Sequence, residues 1–229
     1  MQRKIAALFL LLALIAIAVA CGDDDDNGLP DGGDPESEAT AEEDQGSDGE
    51  GTVFETSTFD PGFSLRAPDH FRRCTTCPES RGLVAFERAV EGERSPALLF
   101  FQSFVGTELE AVPLEEIAGA IVAIPQIEVV SPVEEGERFG VRSLELDVRM
   151  TGVIEESSEG PLLNTRWAPN EQARFILVTI NGINVRIVED VFDAELFDQY
   201  IGEMESVLDT VVFQQRSAAS WPALALARP

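Results

Sequence analysis

Apolar residues fall into three regimes along the chain. A nearly unbroken apolar run fills Ile5 to Ala20, no apolar residue recurs regularly from Gly22 to Gly51, and short apolar runs alternate with breakers from Thr52 onward. In the third regime TVFETSTF, GFSLRAP, GLVAFERAV and ALLFFQSFV are strand-length, rich in Phe, Val and Leu, and bounded by Gly, Pro or charge. PLEEIAGAIVAIP then changes period. Leu114, Ile117, Ala118, Ile121 and Val122 fall at helical spacing, with Pro113 at the start, Glu115 and Glu116 in the first turn and Pro125 after the end. IEVVSPV and GVRSLELDVRM read as further strands, and Glu155 to Asn170 as a long polar loop carrying Trp167. ARFILVTINGINVRIVED is a hairpin, because Asn181-Gly182 suits the positive φ angles of a type I′ turn. A helix near Ala194 to Thr210 presents Leu196, Phe197, Tyr200, Ile201, Met204, Val207, Leu208 and Val211 on one face, with Asp193 as its N-cap. VVF after it can add a short strand. Strands in hairpin order with few helices predict an α+β domain over residues 52–214, a mostly antiparallel sheet flanked by helices. Residues 215–229 form a tail containing Trp221 and an Ala-Leu run, too short to span a membrane.

The first regime has the form of an export signal over residues 1–20: Arg3 and Lys4, a short apolar stretch, then small residues at a boundary. Ala18-Val19-Ala20-Cys21 resembles a bacterial lipobox, with Ala18 where leucine is commoner. That resemblance implies cleavage before Cys21 and lipidation of its sulfur by diacylglycerol and palmitate-type acyl chains. Ordinary cleavage after Ala20, or an uncleaved anchor helix, are the competing readings. Two or three acyl chains hold a protein on a bilayer without a spanning helix, so the expected location is the extracytoplasmic side of a bacterial cell membrane. Residues 21–51 then form a disordered linker. Thirteen Asp and Glu and no Lys or Arg stand between Gly22 and Gly51, which prevents a core and keeps the segment extended. Such a tether reaches roughly 30 Å as a coil and about 100 Å at full stretch. Within it Asp23, Asp25, Asn27, Asp31 and Asp34 follow the order of the calcium loops in thrombospondin type 3 repeats, which such a loop resembles. An unstructured acidic linker is the leading reading of the same residues.

FDPGFSLRAPDHF, and later the order strand, NG hairpin, long helix and VLDTVVF, resemble the opening and close of PsbP-like (LpqN-family) lipoprotein domains. Asp69-His70-Phe71 stand where that family usually shows Asp-Gly-Trp. The resemblance implies an αβα sandwich used for binding or docking, and it carries no catalytic residue over.

Charge and residue inventory narrow the chemistry further. The formal charge is −26, of which −15 belongs to residues 52–229, so nucleic acid and anionic headgroups are poor partners. His70 is the only histidine and Lys4 the only lysine, and no G-x-S-x-G, P-loop or G-x-G-x-x-G pattern occurs, so hydrolase, kinase and dehydrogenase readings lose their usual parts. No cofactor is indicated. FRRCTTCPES holds the remaining chemistry, Cys74 and Cys77. In an exported chain such a pair is expected as a disulfide. A metal site with His70 and Asp69, or a redox pair activated by Arg72 and Arg73, are the alternatives. Redox activity favours a first sulfur at a helix N-terminus, and Pro78 to Gly82 leaves no room for that helix. The leading expectation is a membrane-anchored, non-catalytic domain for an unknown protein or envelope ligand. Trp167, Arg72 and Arg73 are its candidate contacts, Trp167 alternatively being a core residue. The rival expectation is a thiol–disulfide oxidoreductase using Cys74 and Cys77.

Overall fold

The computed structural model describes residues 51–56, 58–75, 77, 82–92, 94–155, 161–162 and 166–215. Cys21, the signal, the candidate calcium residues Asp23 to Asp34 and the tail beyond Gln215 lie outside them. In chain order the first elements are β1 (Thr52–Thr56), β2 (Phe63–Ala67), β3 (Phe71–Arg73), β4 (Leu83–Arg88), β5 (Ala97–Ser103), α1 (Leu114–Val122) and β6 (Ile127–Arg138). Next come β7 (Val141–Met150), β8 (Gln172–Ile180), β9 (Ile183–Val191), a 3-10 turn at Ala194–Leu196, α2 (Phe197–Leu208) and β10 (Val212–Phe213). Seven strands pair in the order β3-β4-β5-β9-β8-β7-β6, three in the order β1-β2-β10, and every pairing is antiparallel.

The chain's local chemistry accounts for most of these elements. Asn181 and Gly182 take φ of 53° and 81°, the values a tight turn between twisted strands needs, and β8 pairs with β9 from Ile180↔Ile183 to Gln172↔Val191. α1 buries Leu114, Ile117, Ala118 and Ile121, with Glu115 and Glu116 at its positive end. The Asp193 side chain accepts from the Glu195 N–H at 3.1 Å and starts the 3-10 turn that leads into α2. α2 in turn buries Phe197, Tyr200, Met204, Val207 and Leu208.

Two cores form, one on each face of the large sheet. The first joins α2 and Phe63, Leu65 and Ala67 of the small sheet to Val84, Phe86, Leu99, Phe101, Ile176, Val178, Val185 and Ile187. The second joins α1, Leu162 and Trp167 to Phe100, Leu144, Leu146, Val148, Phe175, Leu177 and Val188. The domain is thus α+β and mostly antiparallel. Helices flank the sheet only in part, because the face carrying α2 is shared with three strands.

Two strands depart from the sequence expectation. The sequence reading takes IEVVSPV as a strand that stops at Val133, yet β6 continues through EEGER to Arg138. It lies at the sheet edge, where proline and charge are tolerated, and its register shifts between Val129 and Ser131 and again between Ser131 and Glu134. β3, at the other edge, pairs with β4 through only three residues, too few to leave a periodic pattern.

α2 is fastened to the sheet by charge as well as by apolar contact. Glu205 accepts from Arg138 Nη1 at 2.7 Å and from Arg174 Nη1 at 2.7 Å. Arg138 also donates to Glu145 at 2.9 Å, and Arg174 to Asp147 at 2.8 Å. One helix carboxylate thereby ties together β6, β7 and β8, at half-buried sites where solvent screens only partly. Replacing Glu205 with Ala leaves Arg138 only Glu145 and Arg174 only Asp147 and cuts the charged link to α2, so urea unfolding should show a loss of about 1.5–3 kcal/mol. An unchanged midpoint would mean that α2 is held by its apolar face alone.

Candidate functional site

A shallow concavity lies where the β8–β9 hairpin ends against the start of α1. It encloses about 410 Å³ between Val112, Leu114, Val141, Arg142, Thr179 and Asn184. Asn184 builds it. Its side chain is buried, its Nδ2 donates to the carbonyls of Leu109 at 2.8 Å and Val112 at 2.7 Å, and its Oδ1 accepts from the Thr179 hydroxyl at 2.8 Å. Its main chain binds the same loop, donating to Glu110 O at 2.9 Å and accepting from Phe104 N–H at 3.0 Å. One residue of a central strand therefore fixes the groove wall from Phe104 to Val112. At the other side Arg142 joins Glu115 of α1 at 2.7 Å to Glu135 of β6 at 2.9 Å. Glu115's carboxyl is held below its ordinary value by its own backbone N–H and then by Arg142, and Glu135's by Arg142. The groove is thus a partly apolar recess with one wall held by Asn184 and the Glu115–Arg142 ion pair at its rim.

The residues singled out in the sequence lie elsewhere and do not converge. Cys74 and Cys77 are joined in a disulfide with Cα atoms 5.5 Å apart. Both sulfurs are committed to each other rather than available as thiolate ligands. Cys74 is 3% exposed, and its N–H donates to Ala85 O at 2.9 Å, so it prolongs β3 beside β4. Trp167 corrects the expectation of an exposed contact residue, for it is 1% exposed. Its ring packs 6.0 Å from that of Phe100 and 5.7 Å from that of Phe175, and its backbone exchanges two hydrogen bonds with Ile154. The loop around it is polar, but the indole covers the aromatic centre of the sheet. Arg72 is exposed and pairs with Glu87 at 2.8 Å, whereas Arg73 is half-buried opposite Phe86. Adjacent strand residues point to opposite faces, so the two arginines present no common surface. His70 packs against the Phe71 ring at 5.3 Å and reaches Glu203 of α2 at 3.3 Å.

The groups sequence reasoning missed are the ionisable residues of β9. Arg186 is fully buried among Phe100, Phe104 and Phe175, its guanidinium carbon 5.5–6.0 Å from the ring centres. It donates to the Gln102 side chain and to Pro161 O, and burial pushes it down to about 9. Glu189 is 0% exposed on the α2 face, and neither carboxyl oxygen has a hydrogen-bond partner among the described residues. Burial pushes it well above its ordinary value, Glu205 and Asp147 add to that, and Arg174 and Arg138 oppose it. On the α1 face burial raises Asp190, and the neighbouring Glu171 raises it further. No sequence pattern marks these three, since ionisable residues are rarely so buried.

No family model and no curated protein matches the chain. Among solved structures it is similar to LpqN of Mycobacterium tuberculosis, described as involved in cell envelope biogenesis, at 13% identity and a TM-score of 0.43, covering 72% of this chain and 91% of that one. It is similar to a cyanobacterial PsbP of Synechocystis at 12% identity and a TM-score of 0.41, covering 71% and 92%. A Bacteroides thetaiotaomicron protein matches at 11% identity and a TM-score of 0.41, over 73% of this chain, which spans only 50% of that protein. These likenesses concern the fold and assign no role to any residue here.

The groove and the buried carboxyl each yield a measurement. Asn184→Ala leaves two part-buried carbonyls without that donor, and chemical denaturation should register a loss of about 1–3 kcal/mol. A cost under about 0.5 kcal/mol would mean the loop holds itself. The second measurement concerns pH. A raised carboxyl favours the protonated native state, so the stability it contributes is complete below its ordinary value of 4.5 and falls as pH rises toward the native value. Glu189→Gln removes the ionisation and should melt above the wild type near neutral pH, with the gap closing toward pH 4.5. A gap independent of pH would refute the buried-charge account.

Proposed function

We propose that this chain is an extracytoplasmic lipoprotein, anchored to a bacterial membrane through acylated Cys21, and that its α+β domain is a non-catalytic docking module for a protein or cell-envelope ligand. The observation that carries the reading is the placement of Ala18-Val19-Ala20-Cys21, between an apolar run and an abruptly acidic, glycine-rich stretch. The stretch then acts as a tether, its like charges keeping the domain off an anionic surface. Several features of the domain support docking over chemistry. His70 is engaged with Glu203, and the ionisable residues of β9 are enclosed by the two cores. Concave surface at the α1–hairpin groove stands on a fixed wall, as a preorganised binding site requires. A thiol–disulfide exchange role centred on Cys74 would need that sulfur to be reachable, and Cys74 is 3% exposed, whereas its partner Cys77 is half-buried.

Metabolic labelling with a radioactive fatty acid tests the anchor directly. The native chain should take up label and sediment with membranes, and Cys21→Ser should lose both properties. Label that persists in Cys21→Ser would overturn the assignment, as would a native chain found unlabelled in the soluble fraction.

A further inference from the structure

The chain leaves the fold beside the groove. Gln214 donates its N–H to Gly62 O at 2.7 Å, and its carbonyl accepts from the Asn181 side chain at 3.0 Å. Asn181 is the hairpin residue next to Gly182, and Gly182 lines the groove. The described chain ends one residue later, at Gln215.

The C-terminal segment RSAASWPALALARP, from Arg216 to Pro229, is opposite in character to the acidic stretch of residues 22–51. It has no acidic residue, carries Arg216 and Arg228, and is mostly Ala, Leu, Pro and Trp. Trp221 lies seven residues beyond Gln214, a span of at most about 25 Å, enough to round the hairpin tip. The groove offers matching chemistry. Val112, Leu114 and Val141 supply apolar walls, and the rim carries Glu115 paired with Arg142 on a domain that is strongly acidic overall. A cavity of about 410 Å³ also has room for an indole.

We infer that the C-terminal segment docks back onto its own domain, Trp221 entering the groove between α1 and the β8–β9 hairpin. A tether this short holds the segment at an effective concentration of about millimolar, so a weak contact keeps the groove occupied. An external ligand of the groove must then displace the tail, which makes the tail a built-in competitor. The inference goes beyond the docking reading, and tail occupancy is measurable whether or not an outside partner exists.

The test uses the chain from Cys21 to Pro229 carrying Cys21→Ser, free of lipid and detergent. Trp167 is interior and provides a constant background, so subtracting the spectrum of Trp221→Phe isolates the Trp221 emission. The expected result is blue-shifted emission, with acrylamide quenching several-fold weaker than for free tryptophan and unchanged on dilution. Ala111→Phe places a ring at an exposed groove position and should return both properties to those of free tryptophan. Its circular dichroism should match the parent, which separates blocking from misfolding. Quenching as strong as that of free tryptophan in the parent overturns the inference. So does protection that survives Ala111→Phe, which places Trp221 elsewhere, and protection lost on dilution, which assigns it to a second copy. None of these outcomes bears on Cys21 acylation, so the anchor reading stands or falls separately.

Discussion

The constraint on which the rest of this structure depends is the burial of β9 on both faces. All nine of its residues are buried, and Arg186, Glu189 and Asp190 are among them. A strand of this kind cannot lie at an edge or under a single layer, because each ionisable side chain needs either water or a specific setting. The fold supplies a different solution on each face. On the α2 face Glu189 lies near the paired charges of Arg138, Glu145, Asp147, Arg174 and Glu205, and burial pushes its carboxyl well above the ordinary value. On the α1 face Arg186 is wrapped by three phenylalanines, whose ring faces carry the negative end of a quadrupole, and is tied to Gln102 and Pro161.

These polar contacts do what apolar packing alone does not. Valine against leucine tolerates a shift along the strand, whereas Arg174 meets both Asp147 and Glu205 only in one register. The same reasoning applies to Asn184, whose partners lie on a loop more than seventy residues earlier. A slipped hairpin would lose all of its hydrogen bonds together. The interior polar groups thus set where β9 stops sliding, and the groove beside α1 inherits that definition.

How far the structure is legible in the sequence depends on which signals are local. The NG hairpin, α1 and α2 are readable because a turn dipeptide, a cap and a helical period each act within a few residues. Stopping the strand at Val133 truncates β6, because the charged run of EEGER carries no apolar alternation, and an edge strand needs none. Trp167 misleads because its polar neighbours say nothing about the aromatic centre it covers from across the sheet. Asn184 and Arg186 are invisible for the same reason. In INVRIVED they look like the solvent-facing half of an alternating strand, and only the layer of α1, its preceding loop and Trp167 makes that face interior. Two apolar strands flanking such a hairpin are the available hint.

A groove attached to the most buried strand has a mechanical consequence. Binding surfaces on loops cost ordering entropy when a ligand arrives, and here that cost is met in folding, because Asn184 has already fixed the wall from Phe104 to Val112. The loop then needs few contacts of its own. Arg142 and its two glutamates close the opposite side at the surface, where salt weakens them. Ionic strength therefore weakens what holds the Arg142 side, whereas the wall tied to Asn184 rests on part-buried hydrogen bonds that salt screens little.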